Sequence, residues 1–297
     1  MAMAKRTKHP EHPLAEVFGF PIQNESKRAE HFRKNKLCPY GNIVPNCTKD
    51  KVEAPLGVCS VLCGDDSKVI TCPVRFREDW IIVENAALFA FGENADWSSL
   101  SEIKLLDSDN QSAGNIDYVV VRYDRATGKI LDFASVEVQG VYISGNLRNC
   151  FEDYMRHPSP TYCWNGRNFP HPDFLSSSRK RLIPQMLYKG GIFKAWGKKQ
   201  CVVIQESFYE TLPELPIVSK EEADIAWFLY DLILDENDNQ YHLTLVRTVY
   251  TEFSQALTRI ITPKPGNIDN FVELLQEKFD ERHTTSPEKP KTILDIL

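Results

Sequence analysis

The 297-residue chain has no run of about 18 apolar residues, so nothing in it reads as a membrane span. No apolar stretch follows the opening Met-Ala-Met-Ala-Lys-Arg, so no secretory leader is expected and the thiols should meet a reducing, cytoplasmic environment. There is no internal repeat, which sets aside solenoid architectures. There is no excess of positive charge either. Lys+Arg number 35 against 41 Asp+Glu, for a net charge of −6 and a pI near 5.7. Taken as an average, that argues mildly against a nucleic-acid partner. Finally, no short C-x-x-C pair of the common zinc-ribbon kind occurs.

What the chain does have is cysteine in one place. Of eight cysteines, five fall between Cys38 and Cys72, as Cys38, Cys47, Cys59, Cys63 and Cys72. Disulfides and unrelated buried thiols are two readings of this crowding. The third is metal ligation. Two of these cysteines precede prolines and Cys59 lies two residues after Gly57, places that suit turns able to bring thiolates to one ion. Four sulfurs fit a tetrahedral Zn or Fe equally well.

The positive charge is also local. Arg179, Lys180, Arg181, Lys189, Lys194, Lys198 and Lys199 lie in one stretch without an acidic residue, and the segment Met1–Lys36 is net basic. A basic face on an acidic protein can bind phosphates, because binding follows the local field. A solvated lysine-rich helix face is the alternative.

Composition is that of a globular protein, with 42% hydrophobic and 26% charged residues. Leu14–Phe20 reads as a short helix or docking segment, and residues 38–75 as turn-rich. Glu78–Phe91 reads as a helix and Glu102–Leu106 as a short strand. Asn115–Tyr123 and Ile130–Ile143 read as a hairpin. Pro and Gly interrupt the chain from His157 to Pro172. Ser177–Trp196 is expected as a helix that Pro184 and Gly190-Gly191 bend or split. Cys201–Phe208, Trp227–Leu234 and His242–Tyr250 read as strands. Ser219–Glu222 has the form of a capping box, and Asn267–Phe279 of an amphipathic helix before a charged tail. The sum is a mixed α/β (α+β) core with a metal-bound appendage.

The hairpin carries the candidate chemistry. Glu137 and Gln139 share a strand face, and Asp117 lies on the neighbouring strand. Hard oxygens so placed suit Mg²⁺, which takes one or two carboxylates and completes its shell with water and phosphate. Beside a basic helix, such a site could hydrolyse a phosphodiester. Solvent-facing acids on an ordinary hairpin are the alternative. Glu102 is a third possible carboxylate.

Together these segments resemble the NotI-like restriction endonucleases, a branch of the PD-(D/E)xK nucleases. The cysteine module matches as Cys38-Pro-Tyr, Cys47-Thr-Lys, Gly57-Val-Cys59-Ser-Val and Cys72-Pro-Val-Arg75. The hairpin matches as Asn-Ile-Asp117 and Val-Glu137-Val-Gln139, the helix as Gln185-Met-Leu-Tyr-Lys189, and the last hairpin as Trp227–Leu234 with His242–Thr248. The similarity is patchy but collinear from about residue 14 to residue 250.

The resemblance implies a PD-(D/E)xK core with a mixed central sheet flanked by helices over 77–297, and an N-terminal segment with a four-cysteine metal-binding module over 1–76. It implies Cys38, Cys47, Cys59 and Cys72 as ligands of a structural metal, iron in that family or else zinc, with Cys63 spare or exchanging for Cys47 or Cys59. Asp117, Glu137 and Gln139 would form the active site with Mg²⁺, and Glu102 would be a fourth member. Gln139 stands where the superfamily usually has lysine, so positive charge must come from a second metal ion or a base such as Lys189. Arg179, Lys180, Arg181 and Lys189 are candidate DNA contacts. The implied protein is a bacterial, cytoplasmic homodimer that cuts both strands of a short, GC-rich palindrome in double-stranded DNA and leaves 5′-phosphates. With no P-loop or helicase-like segment, a stand-alone nuclease is preferred to a repair or phage PD-(D/E)xK enzyme. A metal-stapled DNA-binding regulator without catalysis is the rival of another class.

Overall fold

A computed structural model describes residues 10–285 except 42–43, 52, 65–66 and 167. The basic Lys5, Arg6 and Lys8 and the charged tail lie outside the described residues. The chain divides into a unit Met1–Ile260 and a unit Ile261–Leu297.

The first unit is built on a six-stranded mixed sheet, within a mixed α+β architecture. Its strands are β5 (Trp97–Leu106), β6 (Ser112–Tyr123), β7 (Ile130–Val138), β10 (Gln200–Gln205), β11 (Ile225–Asp235) and β12 (Gln240–Thr251), in the order β12-β11-β10-β7-β6-β5. β10 runs parallel to both β7 and β11, and the other pairings are antiparallel. A parallel strand with neighbours on both sides should be apolar throughout, and β10 is buried at every position. Val202 and Ile204 face one core, Cys201 and Val203 the other, as the period of two requires.

Before this sheet come β1 (Leu14–Val17), β2 (Phe20–Pro21), β3 (Val58–Cys63) and β4 (Ser67–Ile70), which form a smaller antiparallel sheet in the order β2-β1-β3-β4. Leu14–Phe20, read as a short helix or docking segment, is therefore strand and turn. Its run of buried apolar residues fits a short strand as well as a helix, and pairing with β3 decides it. Helix α1 (Lys27–Asn35) follows, capped by the Ser26 hydroxyl on the Ala29 N–H. β8 (Ile143–Ser144) and β9 (His171–Pro172) make a two-stranded ribbon.

Helix α2 (Ile81–Phe91) covers one face of the large sheet with Ile82, Val83 and Ala86. The other face takes Leu182 and Met186 of a long helix, together with Leu14, Val17, Val58 and Val61 of the small sheet. The α3 helix (Leu147–Arg156) had no counterpart in the sequence reading. The long helix, α4, spans 174–195 without a break. Pro184 and the two glycines neither bend it apart nor split it, because it opens into π turns at Ser178–Leu182 and Met186–Gly190. Wider turns leave room where proline lacks an N–H. The Ser219–Glu222 hydrogen bonds form as a capping box would, but on a turn. In the second unit, Ile268–Thr285 is helical, with Ile268, Phe271 and Phe279 exposed.

One buried ion network joins the small sheet to the large one. The Arg75 guanidinium donates to Glu16 on β1 at 3.0 Å, to Glu78 at 2.7 Å and to the Tyr241 carbonyl on β12 at 2.7 Å. Ser60 on β3 donates to Glu16. Arg75 and Glu16 are wholly buried, so each depends on the other. Removing one member of such a pair costs roughly 3–5 kcal/mol. Arg75→Met should therefore lower the unfolding free energy in urea by roughly that amount, and a loss below about 1 kcal/mol would show that the network does not hold the two sheets together.

Candidate active site and cysteine cluster

Strand register assembles the acidic residues. Tyr118 pairs with Val136 across β6 and β7, and Ser101 pairs with Tyr118 across β5 and β6. Continuing both registers by one residue puts Glu102, Asp117 and Glu137 in one row across three strands. Glu102 has φ of +55°, a left-handed conformation rare for this residue type, inside a strand. Such backbone costs about 1–3 kcal/mol and collects at functional sites. Glu102 is exposed, Asp117 half-buried and Glu137 buried.

The two inner carboxylates are held by different partners. One Asp117 oxygen accepts the Val138 N–H at 2.8 Å. One Glu137 oxygen, Oε2, lies 2.6 Å from the Lys189 Nζ on α4, and the same ammonium donates to the Asn115 carbonyl at 2.8 Å. The other Glu137 oxygen, Oε1, is buried with no N–H or hydroxyl donor, and the Glu137 carboxyl lies within hydrogen-bonding reach of the Asp117 carboxyl. Burial first and the Asp117 charge second push the Glu137 carboxyl up to about 8, against the pull of Lys189. Asp117 is raised too, by burial foremost, with the Val138 N–H and Lys189 opposing and Glu102 adding to the rise.

Gln139 is buried beside them, but its side-chain amide donates to the Gly140 carbonyl at 2.6 Å. The Lys189 side chain, expected among the DNA contacts, is turned inward, and the residue is only 6% exposed. Arg179, Lys180 and Arg181 are exposed on α4. Of these, Arg181 lies over the Tyr142 ring at 5.1 Å and lines a cavity of about 650 Å³ that reaches Asp117 and Gln139. Lys49, Arg148 and Gln185 line it as well. Arg148 is tied to Asp50, and the Gln185 side-chain oxygen is buried without a partner. The sequence reading passed over Arg148, Tyr142 and Gln185 as site residues. Gln185 had a signal, because positions i and i+4 of a helix share a face, and Lys189 is four residues on.

The cysteines are all free thiols. Cys38, Cys47 and Cys72 line one pocket of about 240 Å³. Burial pushes the Cys38 thiol up to about 11, and Cys72 and Cys47 add to it. Cys59 is raised well above its usual range by burial, then by Cys72, with Cys38 and Cys47 contributing. These four cysteines act on one another electrostatically, but among the described residues no three of their sulfurs lie within 4.8 Å of one another. Lys49 lies beside them and donates to the Val58 carbonyl at 2.6 Å. Cys63 is raised by burial alone, with no other thiol acting on it. Elsewhere, ligand atoms of Asp235, Asp238 and His242 gather within 4.8 Å of one another at the β11–β12 turn. There His242 is paired with Glu78 at 2.9 Å and Asp238 at 3.2 Å. Among the described residues, no helix is long and apolar enough to cross a membrane.

A family model described as restriction endonuclease NotI matches residues 24–243, which covers most of the chain and includes the acidic row, Lys189 and all five clustered cysteines. No curated protein gives a significant match.

Two outcomes follow from these charges. Without added divalent ions, folded Glu137 holds a proton up to about pH 8, whereas an unfolded glutamate loses it near about 4.3. Between those values the folded state binds the extra proton, so stability should fall as pH rises through this window. Urea midpoints taken across it should drop for the wild type and drop less for Glu137→Gln. Equal slopes would contradict the raised carboxyl. Elemental analysis of purified protein should find one tightly held Fe or Zn per chain, lost in Cys38→Ser and kept in Cys63→Ser, and no metal in the wild type would remove the cluster's assignment.

Proposed function

The chain belongs to the NotI restriction endonuclease family and is a Type II site-specific deoxyribonuclease, and from that premise we propose that Asp117 and Glu137 are the residues at which it hydrolyses DNA with the help of Mg²⁺. The observation that carries this reading is the orphaned Oε1 of Glu137, a buried carboxylate oxygen beside a second carboxylate. A buried acceptor without a donor costs free energy unless a proton, which Glu137 keeps up to about pH 8, or a cation takes it. Oxygen donors of this kind fit a hard ion such as Mg²⁺. When bound, the ion would supply an activated water and neutralise charge on the scissile phosphate.

The remaining roles belong to the chain. Asp117 is oriented by the Val138 N–H, and Glu137 is oriented by Lys189. Glu102, on β5 beside Asp117 on β6, is the outer acid of the row. The cavity walled by Arg181, Arg148 and Lys49 admits the phosphodiester backbone, and cations there offset phosphate charge. Arg179 and Lys180, exposed on the same helix, extend the contact to flanking phosphates. The centre so formed resembles that of the PD-(D/E)xK nucleases, with glutamine at the position usually held by lysine.

Cys38, Cys47, Cys59 and Cys72 would hold a structural ion, Fe or Zn, with their sulfurs drawn closer than they lie here. Four thiols in one field are unfavourable as thiolates unless a cation neutralises them, and four sulfurs complete a tetrahedral shell without room for substrate. On this reading residues 1–76 form a metal-stapled module that positions DNA, and residues 77–297 form the nuclease core. The products are 5′-phosphates. The target is a short palindrome, GC-rich by family resemblance, cut on both strands by a homodimer whose two-fold axis matches the site.

Incubating the purified protein with plasmid DNA and Mg²⁺, then sequencing the ends, tests this. Discrete fragments with 5′-phosphates at one sequence are expected, and Glu137→Ala and Asp117→Ala should cut at least about a hundredfold more slowly. Binding without cutting by the wild type under all metals would favour a metal-stapled regulator. Full activity in Glu137→Ala would move the active site elsewhere.

A further inference from the structure

A buried and a half-buried carboxylate would crowd negative charge against a bound phosphate, and Gln139, just past the end of β7, brings none of the opposite sign. Gln139 is neutral, and its amide is spent on the Gly140 carbonyl. The cation that faces the row comes from another element. Lys189 reaches down from the π turn of α4, its stem passing Gly114, where an added Cβ would meet its Cδ at 3.7 Å. Its ammonium has three donors. The structure engages two, on Glu137 Oε2 and the Asn115 carbonyl. A lysine 6% exposed has little water for the third. Because Lys189 holds Oε2, the free Oε1 remains available to a metal ion, so ion pair and metal can share one carboxylate.

We propose that Lys189 is a catalytic residue, a fixed cation whose third N–H is donated to the attacking water and the scissile phosphate, in place of a lysine on the strand. This rests on the reading of Asp117 and Glu137 as the hydrolytic centre. In the step itself, the water oxygen bonds to phosphorus as the P–O3′ bond breaks. One water proton ends on the departing 3′-oxygen, and the other is shed to solvent from the new 5′-phosphate. Lys189 keeps its protons throughout and acts through charge and position.

Three variants test it. K189M keeps the length of the side chain and removes the charge. Its single-turnover rate at saturating DNA and Mg²⁺ should fall about 10²–10³-fold, as when one preorganised donor is lost. Its DNA affinity, measured with Ca²⁺ in place of Mg²⁺, should change by less than about threefold, because one donor to the scissile phosphate is a small share of the phosphate contacts and acts mainly on the charge that develops in the transition state. Adding Q139K to K189M should return the cation from the strand and recover at least about tenfold of the rate. K189R retains charge and fold but misplaces the donors, so it should slow cleavage at least about tenfold with an unchanged melting temperature. That variant decides the matter if K189M does not fold. Cleavage by K189M or K189R within about threefold of wild type, rate losses matched by equal losses of DNA affinity, or no recovery in Q139K/K189M would each overturn the assignment. Failure of the underlying reading looks different. There Glu137→Ala would cut normally, whatever Lys189 does.

Discussion

The site depends on a buried imbalance of charge. Asp117 and Glu137 sit opposite each other on adjacent strands, largely removed from water, with one ammonium beside them and one carboxylate oxygen left without an N–H or hydroxyl donor. Neither carboxylate can ionise freely in that setting, which is why Glu137 is pushed up to about 8. A buried site that holds more acceptors than donors is arranged for a cation to arrive. The protein tolerates the deficit because Lys189 meets half of it and the surrounding strands fix the rest.

That rigidity has its origin far from the hairpin. β7 is held between β6 and β10, so the row of acids cannot splay. α4 lies across the same face, packed by Leu182 and Met186, and this packing aims Lys189. The small sheet is bound to the large one through the Arg75 network, in which three chain segments share one guanidinium. Arg75 follows Cys72 by three residues, so an ion at the cysteines and the ion pairs at Arg75 would fix the same short stretch of chain. On the proposed reading the two ions would have separate duties, one holding a module in register and the other taking part in hydrolysis.

Much of this was legible in the sequence. The partial alternation of Ile130–Ile143 announced a strand paired with Asn115–Tyr123, and the hairpin forms, although β7 ends at Val138 and Gln139 lies just beyond it. The clustering of cysteines between Cys38 and Cys72 was legible, but no three of their sulfurs lie within 4.8 Å of one another, so the ligand set remains a proposal. What was not legible depends on packing between distant segments. Lys189 is 52 residues from Glu137, and only the docking of α4 makes it a partner rather than a surface contact. Composition likewise says nothing of the orphaned oxygen. Leu14–Phe20 was ambiguous because a short apolar run has no period of its own until a neighbouring strand claims it. Pro184 argued for a break, yet the helix absorbs it by widening its turns.

The central claim is that Asp117 and Glu137 bind the working ion, and calorimetric titration of DNA-free protein with Mg²⁺ measures this most directly. The wild type should bind more tightly at about pH 8.5 than at about pH 6.5, because the proton held by Glu137 must leave before the ion enters. Asp117→Asn and Glu137→Gln should each abolish that binding, while the metal content of the cysteine cluster stays unchanged. Mg²⁺ binding that survives both substitutions, or that ignores pH across this range, would contradict the account.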